Sequence, residues 1–277
     1  MGDIRTVGFV GLGDQGLPMA TAVAEAGYEL HVWARRAASM DALGETPHIR
    51  HPTAADLGQL CDIVALCVRT DHDVLTIVSD YLLDVMRPGS VVVNHGTGMP
   101  RNAVRVAEIC SERGIDSLDV PVSGGRPAAE ARTLTALVGG QDGVVARCEP
   151  VFRSFANHVV HVGDAGAGQM AKLFNNALLA MNQASIADIV DVAVQARLKP
   201  VDLVEGLKLG SATSAALTLL NTTVTPETVE HLSKVQDLDI DLFAEALADV
   251  GVTAADLTSR SHSGCHRLPH LVARLNP

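Results

Sequence analysis

The sequence predicts an α/β fold, with a doubly wound parallel sheet followed by an all-helical C-terminal domain. Two observations carry this prediction. Within the first 163 residues, short apolar runs of strand character alternate with segments of helical periodicity, which is typical of a parallel sheet flanked by helices. Beyond Gly163 the strand signal stops and only helical patterns follow. We therefore predict two domains, residues 1–163 and residues 164–277, with the boundary in the stretch GDAGAG.

The first domain contains apolar runs of strand length, each bounded by turn residues or by a helical segment. They are TVGFV (6–10), ELHVWA (29–34), DIVALCV (62–68), SVVVN (90–94), IDSLDVPV (115–122) and LTALVGG (134–140). The segment LPMATAVAEAG, which follows the first strand, has helical spacing and closes on Gly27.

The second domain begins with one long apolar helix, predicted from Gln169 to Leu198 and ended by Lys199-Pro200. Further helices are predicted in VDLVEGLKLG (201–210), TPETVEHLSKVQDLDIDLFAEALADVG (225–251) and TAADLTSR (253–260). Turn residues separate these segments, and no internal repeat stands out.

Composition limits the classes of partner. The chain has 277 residues, 47% of them apolar, and a formal net charge of −11, which argues against nucleic acid or an anionic membrane as the main partner. Its five cysteines are scattered without a CxxC pair, as expected of free thiols in a reducing compartment. We find no leader segment and no uncharged window of 18 apolar residues, and therefore expect a soluble, cytoplasmic protein.

A glycine loop follows the first strand in VGFVGLGDQGLPMA, where Gly11, Gly13 and Gly16 form GxGxxG. In a strand–turn–helix context this motif predicts a Rossmann-like site, in which a helix N-terminus faces a dinucleotide pyrophosphate. The predicted cofactor-binding residues are Gly11, Leu12, Gly13, Asp14, Gln15 and Gly16. We expect the Asp14 carboxylate to point to solvent, because it would repel phosphates. The alternative is an ordinary glycine-rich turn.

The end of the second strand indicates which dinucleotide binds. An NAD site places an acidic residue there to hold the ribose 2′-hydroxyl. This chain instead has Arg35 and Arg36, and two guanidiniums suit a 2′-phosphate. We therefore predict NADP(H), with NAD(H) also accepted. The alternative is a solvated surface pair.

The turn SGG is a candidate anion site. Ser123, Gly124 and Gly125 follow a strand at the carboxyl edge of the predicted sheet, where backbone N–H groups and a hydroxyl could hold a carboxylate. Without further context, SGG is also a common turn.

Lys172 is the only lysine in the first 198 residues, and it shares a helix face with Asn175 and Asn176 at i+3 and i+4. Partial burial without a carboxylate partner would lower the lysine pKa and suit it to proton transfer. The alternative is a lysine whose stem covers apolar surface while its ammonium stays in water.

Four segments together resemble the β-hydroxyacid dehydrogenase family, which includes 3-hydroxyisobutyrate dehydrogenase and tartronate semialdehyde reductase. They are GFVGLGDQGLPMA, DVPVSGGRPAAEARTLTALVGG, HVGDAGAGQMAKLFNNALLA and VQDLDIDLFAEA, and they lie between residues 8 and 247 in the family's order. The resemblance implies a Rossmann-like domain followed by a helical domain, in a homodimer or tetramer.

The resemblance also implies roles for the candidate substrate residues. Lys172 would be the proton donor and acceptor. Asn176, with Asn175 beside it, would hold and orient the substrate. The turn Ser123, Gly124 and Gly125 would bind the substrate carboxylate.

Further residues are implied on the cofactor side. Thr97 matches a threonine near the nicotinamide, and the loop Cys67, Val68 and Arg69 matches one that passes over the cofactor. Gln236 stands where the family has a lysine that reaches toward cofactor and substrate, so a positive charge is missing. The family also usually has Met at Gln15, Leu-Pro at Val68-Arg69 and Ser at Gly96.

The C-terminal segment SHSGCHRLPH carries His262, Cys265, His266 and His270. These residues lack a distant second pair and a recognised ligand spacing, so we predict a helical tail and no metal.

The sequence therefore predicts an NADP(H)-dependent oxidoreductase that interconverts a small 3-hydroxy acid and its semialdehyde, of the 3-hydroxyisobutyrate or 2-hydroxy-3-oxopropionate class. The expected partner is a small anionic carbonyl or hydroxy-acid substrate, without nucleic acid or membrane. Two alternatives stay open: an imine reductase-like NADPH enzyme and a non-catalytic dinucleotide-binding protein. Retention of Lys172 and SGG argues against the first, and the Lys–Asn–Asn face argues against the second.

Overall fold

A nine-stranded sheet forms the centre of the first of two units in the computed structural model, which describes residues 4–276. The units are Met1–Lys172 and Leu173–Pro277. The strands are Thr6–Val10 (β1), Glu29–Trp33 (β2), Ile49–Arg50 (β3), Ile63–Leu66 (β4), Val91–Asn94 (β5), Asp116–Asp119 (β6), Val122–Ser123 (β7), Leu134–Gly139 (β8) and Ala156–Gly163 (β9).

The strand order is β3-β2-β1-β4-β5-β6, with all neighbours parallel, and this is the order of a Rossmann fold. The order reverses between β1 and β4, and ligands bind at such switch points outside the carboxyl ends of the strands. The predicted fold class is therefore confirmed.

The far edge of the sheet differs from the prediction of a purely parallel sheet. β8 runs antiparallel to β6 and then to β7, which continue along the same side of it. β9 pairs with the other side of β8 in parallel. Sequence analysis missed β9, because its segment ANHVVHVG leaves most side chains exposed and has no apolar run longer than two residues.

Helices cover both faces of this sheet. They are Gly16–Glu25 (α1), Ala38–Asp41 (α2), Ala54–Gly58 (α3), Asp71–Ile77 (α4, continued by a π-helical turn at Val78–Leu82), Pro100–Ser111 (α5), Gly125–Glu130 (α6) and Asp142–Phe152 (α7). Side-chain alternation in β1 sends Phe9 into one core with Met19 and Phe152, and Val10 into the other core with Leu57. Local capping sets some helix starts: Thr53 and Asp56 form a capping box at α3.

The second unit is helical, as predicted. Its helices are Ala167–Gln195 (α8, whose first turns belong to the first unit), Pro200–Leu209 (α9), Ala215–Leu219 (α10), Val229–Asp249 (α11) and Ala255–Leu275 (α12). Ser233 on α11 donates its hydroxyl hydrogen to the Cys265 carbonyl on α12 at 2.8 Å. A Cβ atom at Gly264 of α12 would collide with the Ala180 carbonyl of α8, so these two helices approach closely.

Among residues 4–276, α8 is the one helix that could cross a membrane by length and composition alone, with a mean hydropathy of 1.4. Its contacts indicate another role. Leu173, Ala177, Ala180 and Ala184 form a buried stripe at helical spacing, and α12 packs against it. In this structure α8 is the core helix of the second unit.

All five cysteines are free. Four are fully buried and Cys67 is half-buried. Burial raises the pKa of Cys61, Cys67, Cys110, Cys148 and Cys265 to about 12 in each case.

Candidate functional site

The glycine loop joins β1 to α1 and packs against the end of β4. Gly11 has a φ of +97°, and a Cβ atom there would collide with the Cys67 carbonyl oxygen. A Cβ atom at Gly16 would collide with the Gly11 carbonyl oxygen. Both positions therefore require glycine, the first for the turn and the second for close helix–strand packing.

Of the three glycines in the loop, Gly13 is the one whose missing side chain is not required by a neighbouring atom. A Cβ atom there would meet no atom within 4 Å, and the residue is exposed. The adjacent N-cap of α1, Gln15, makes no side-chain capping bond, and the first turn of α1 holds no acidic residue. This open helix N-terminus fits a dinucleotide pyrophosphate. Asp14 is 82% exposed and lies 3.6 Å from Arg126, so its carboxylate points to solvent as predicted.

The two arginines after β2 have different surroundings. Arg35 Nη1 donates to Asp73 Oδ1 at 2.9 Å, although the Arg35 side chain is 71% exposed. Arg36 is exposed and forms no ion pair within residues 4–276. Asp73 lies in the first turn of α4, 38 residues after Arg35, and sequence analysis did not connect them. Of the two arginines predicted to bind the 2′-phosphate, Arg35 is therefore already paired with the Asp73 carboxylate.

The loop after β4 lies beside the glycine loop. Cys67 donates its backbone N–H to the Val10 carbonyl at 2.8 Å. A Cβ atom at Gly11 would also lie 3.2 Å from Val68, and a Cβ atom at Gly96 would lie 2.9 Å from the Val68 carbonyl oxygen. The structure therefore brings the predicted residues Cys67 and Val68 between the glycine loop and the loop that holds Thr97. Arg69 follows on the exposed side.

Gln169 fastens the Thr97 loop to the start of α8. Its Oε1 accepts the Gly98 N–H at 2.8 Å, and its Nε2 donates to the Gly96 carbonyl at 2.7 Å. Gln169 is 1% exposed. Thr97 is half-buried between these two bonds. Sequence analysis missed Gln169, since its partners are more than 70 residues away in the chain.

Asp119, at the end of β6, caps the N-terminus of α8. Its Oδ1 accepts the Gly166 N–H and its Oδ2 accepts the Gln169 N–H, each at 2.8 Å. Burial raises the pKa of Asp119 to about 6, against the lowering effect of these backbone hydrogen bonds. The cap fixes the first turn of α8, and Lys172, which is half-buried, follows Gln169 by three residues.

His95 lies beneath the same loop and is 3% exposed. Its Nδ1 lies 2.9 Å from the Val120 carbonyl oxygen, and its ring stacks on Phe9 and meets Phe152 and Phe155 edge-on. Burial lowers the pKa of His95 to about 4, against the hydrogen bond to Val120. The imidazole is therefore neutral at pH 7.

The SGG turn follows β7. Ser123 pairs with Thr135 of β8 and is half-buried. Gly124 and Gly125 have φ values of +128° and +66°, and a Cβ atom at Gly124 would collide with Ala128. The glycines are thus explained by backbone geometry, and the role of this turn in binding a carboxylate stays a prediction.

In the second unit, the amides of α8 meet α11. Asn175 Nδ2 donates to Asn176 Oδ1 at 3.0 Å, and Asn176 Nδ2 donates to Asp239 Oδ2 at 2.7 Å. Gln236, one turn before Asp239, has a buried Oε1 atom without a hydrogen-bond partner among residues 4–276. Sequence analysis missed Asp239, which lies 63 residues from Asn176 and three residues after Gln236.

Two family models match the chain. Residues 6–163 match the NAD-binding domain of 6-phosphogluconate dehydrogenase, and residues 166–260 match the NAD-binding domain of NADP-dependent 3-hydroxyisobutyrate dehydrogenase.

Named relatives agree with these models. An NAD-dependent L-serine dehydrogenase of Pseudomonas aeruginosa is 32% identical, over 90% of this chain and 84% of the relative. A 3-hydroxyisobutyrate dehydrogenase of the same organism is 33% identical, over 78% of this chain and 73% of the relative. The solved structure of Mycobacterium tuberculosis 3-hydroxyisobutyrate dehydrogenase with L-serine has a TM-score of 0.84 at 25% identity, covering 99% of this chain and 98% of that one.

Proposed function

The chain belongs to the β-hydroxyacid dehydrogenase family, and from that premise we propose that it is an NADP(H)-dependent enzyme that interconverts a small 3-hydroxy acid and its semialdehyde. Membership makes it an oxidoreductase with NAD(P)-binding domains. The substrate class, 3-hydroxyisobutyrate or 2-hydroxy-3-oxopropionate, and the preference for the phosphorylated dinucleotide are our inference.

The anchoring of α8 supports this proposal most directly. Asp119 and Gln169 bind the first turn of α8 to the end of β6 and to the Thr97 loop after β5. Parallel sheets bind ligands at the carboxyl ends of their strands. A lysine three residues beyond Gln169 is therefore held rigidly near a natural ligand edge, as a proton-transfer group must be.

The mechanism assigns proton transfer and positioning to the chain's own residues. The nicotinamide ring, when bound, supplies or accepts the hydride at the substrate carbon. During reduction Lys172 donates a proton from Nζ to the carbonyl oxygen, and during oxidation it takes the proton from the hydroxyl group. Asn176 orients the reacting oxygen, with Asn175 beside it. The N–H groups of the SGG turn hold the substrate carboxylate.

The glycine loop suits the dinucleotide, because Gly13 leaves room for a pyrophosphate at the start of α1. For the 2′-phosphate we infer that Arg36 makes the first contact and that Arg35 joins it by exchanging Asp73 for the phosphate. A phosphate carries more negative charge than the carboxylate it would displace.

One observation favours a second substrate class, a small β-hydroxy amino acid. Asp239 bonds Asn176, and Gln236 stands in place of the family's lysine, so this part of the helical unit carries a carboxylate and has lost an ammonium. Such a change suits a substrate that carries an ammonium group beside its hydroxyl. One relative is named an L-serine dehydrogenase, and one similar structure contains L-serine.

The decisive experiment is a substrate panel with absorbance of the reduced nicotinamide as the readout. The panel contains 3-hydroxyisobutyrate, L-serine and D-serine with NADP⁺ or NAD⁺, and methylmalonate semialdehyde and tartronate semialdehyde with NADPH or NADH. We expect turnover of hydroxy acids and semialdehydes, with NADP(H) preferred. Turnover of serine that Asp239→Asn abolishes, while 3-hydroxyisobutyrate turnover survives, would select the second substrate class.

Two results would overturn the proposal. Turnover of cyclic imines alone would make the protein an imine reductase-like enzyme. Tight NADPH binding without turnover of any carbonyl or imine would make it a non-catalytic dinucleotide-binding protein.

We also propose that the chain works in the cytoplasm as a homodimer or tetramer. Phe174, Leu178, Ile189 and Val192 on α8 are each about half exposed or more, and such an apolar set supports self-association. Light scattering after size-exclusion chromatography gives the mass in solution. A monomeric mass would contradict the proposed homodimer or tetramer.

A further inference from the structure

Two helices of the second unit face each other with acidic and imidazole side chains. Asp237 and Asp241 lie one turn apart on α11, and His262 and His266 lie one turn apart on α12. The helices run antiparallel here, because the earlier residue Ser233 pairs with Cys265 and the later Asp237 pairs with His262. Both pairs therefore meet at one place.

The distances between these side chains are short. Asp237 Oδ1 lies 2.7 Å from His262 Nδ1 and 2.9 Å from His266 Nε2. One ligand atom from each of Asp237, His262 and His266 lies within 4.8 Å of the other two. Asp241 Oδ1 lies 3.6 Å from His262 Nε2.

Two arginines on α12 form their ion pairs with α8 and not with this cluster. Arg260 and Arg267 bond Asp188 on α8, and Arg267 also bonds Asp191. The cluster therefore combines two carboxylates with two imidazoles, and these guanidiniums are paired elsewhere.

We propose that Asp237, His262 and His266 form a binding site for one divalent transition-metal ion, with zinc as the best match. Two imidazoles and one carboxylate are the ligand set of open zinc sites, in which a fourth position is left for water or another ligand. Imidazole nitrogens favour zinc, copper and nickel over magnesium and calcium, which prefer oxygen ligands.

Asp241 supports this site. It lies beside Nε2 of His262, on the ring side away from Asp237, where it would accept the second ring N–H and fix the orientation of the imidazole. The bound ion would tie α11 to α12, so binding would stabilise the second unit. This proposal is independent of the dehydrogenase reaction.

The sequence did not indicate this site, because the histidines alone lack a second pair. Their carboxylate partner comes from α11, 25 residues earlier, and only the antiparallel packing of two helices places it beside them. Without a metal, the same residues form carboxylate–imidazole contacts that join the two helices, and the experiment must separate these two roles.

The test uses the untagged full-length chain, freed of metal by a chelator and then titrated with Zn²⁺ in a calorimeter. Thermal unfolding with and without Zn²⁺ is the second readout, and the absorption bands of bound Co²⁺ report coordination geometry. We expect one ion per chain and a higher melting temperature with Zn²⁺.

Three variants identify the ligands. His266→Ala and Asp237→Asn should each lower zinc affinity by at least about tenfold, the lower bound for losing even an outer-sphere partner. His270→Ala is the matched control, because His270 lies one turn further along α12, is 55% exposed and approaches Asp191 instead. It should leave zinc affinity unchanged.

The proposal fails if the dissociation constant of the parent chain for Zn²⁺ is about 1 mM or higher, because weak surface contacts have affinities in that range. It also fails if His266→Ala retains the parent affinity, or if His270→Ala loses as much affinity as His266→Ala does.

Discussion

The two units of the chain hold their polar residues in different ways. In the first unit, the glycine loop, the Cys67 loop and the Thr97 loop all follow parallel strands, and Cys67 donates its backbone N–H to the Val10 carbonyl at the end of β1. In the second unit, polar side chains bond across helices that lie far apart in sequence, such as Asn176 with Asp239. Sheet topology specifies the first arrangement, whereas helix packing specifies the second.

This difference indicates how each unit responds to side-chain substitutions. Strand ends are fixed by the backbone ladder, so a side-chain substitution there alters chemistry more than position. Helix faces are fixed by side-chain packing, so one substitution on α11 can alter both charge and geometry. Lys172 is of interest here, because it lies at the end of the first unit on a helix that continues as the core of the second.

The largest effect is expected at Lys172. Lys172→Ala should lower turnover by about 10²–10⁴, the usual contribution of a positioned acid–base group. Lys172→Arg should also fail, because a guanidinium keeps its proton. NADPH affinity and the melting temperature should stay near parental values. Steady-state kinetics, calorimetry and thermal unfolding provide the check, and near-parental turnover with lowered stability would make Lys172 a structural residue.

The next effect concerns Gln169, a helix residue whose side chain bonds a loop at the end of a strand. Gln169→Leu leaves the Gly98 N–H and the Gly96 carbonyl without their partner, at roughly 1–3 kcal/mol each. We expect the free energy of unfolding of the first unit to fall by about 2–6 kcal/mol. Trp33, the single tryptophan, reports unfolding of this unit by fluorescence in urea. Gln169→Glu keeps the acceptor for the Gly98 N–H but turns a buried carboxylate oxygen toward the Gly96 carbonyl oxygen, so it should lose at least as much.

A pH effect tests how deeply the first unit buries its titratable groups. The pKa of His95 falls to about 4 from 6.5, so the unfolded chain takes up the proton first as pH falls. His95 therefore costs stability between pH 6.5 and 4, roughly 3 kcal/mol in total. The pKa of Asp119 rises to about 6 from 3.8, so Asp119 adds stability as pH falls through 6 toward 4. The two contributions oppose each other.

His95→Phe isolates the Asp119 contribution. Relative to the parent, this variant should gain roughly 3 kcal/mol in unfolding free energy between pH 6.5 and 4, followed by Trp33 fluorescence in urea. Its own stability should rise with acidity in that range. A constant difference between the two proteins across this pH range would mean that His95 titrates in the folded chain near its ordinary pKa.

The smallest effect concerns the arginines after β2. Arg36→Ala should reduce the preference for NADPH over NADH by about tenfold, because a charge-assisted bond contributes roughly 1.5–3 kcal/mol. Asp73→Asn should strengthen NADPH binding a few-fold by releasing Arg35. NADH affinity of each variant is the internal control, and calorimetry measures both dinucleotides. Equal loss of NADPH and NADH affinity in Arg36→Ala would show that Arg36 does not recognise the 2′-phosphate.

Sequence reasoning predicted the Rossmann-like fold and the glycine loop because both follow from local patterns. GxGxxG after a strand predicts a turn, and the structure requires glycine at Gly11 because of that turn; the need for glycine at Gly16, whose Cβ atom would collide with the Gly11 carbonyl oxygen, came only from the structure. It missed β9, whose pairing depends on β8 and not on its own apolar content.

Sequence reasoning could not reach the partners of polar side chains that come from distant elements. Asp73 beside Arg35, Gln169 at the Thr97 loop and Asp239 beside Asn176 are 38 to 73 residues from what they bind. Spacing along one element carries no information about such contacts. The sequence therefore predicted the candidate residues, whereas the charged and polar groups around them could be identified only from the fold.

The raised thiol pKa values have a practical consequence for measuring motion. A thiol with a pKa near 12 is almost entirely protonated at pH 8, and buried sulfur is shielded from reagents, so alkylation must wait for the surrounding structure to open. Cys61, Cys110 and Cys148 lie in the first unit and Cys265 lies in the second. Pulsed alkylation read by mass spectrometry would therefore time the opening of each unit separately, with no label introduced into the chain.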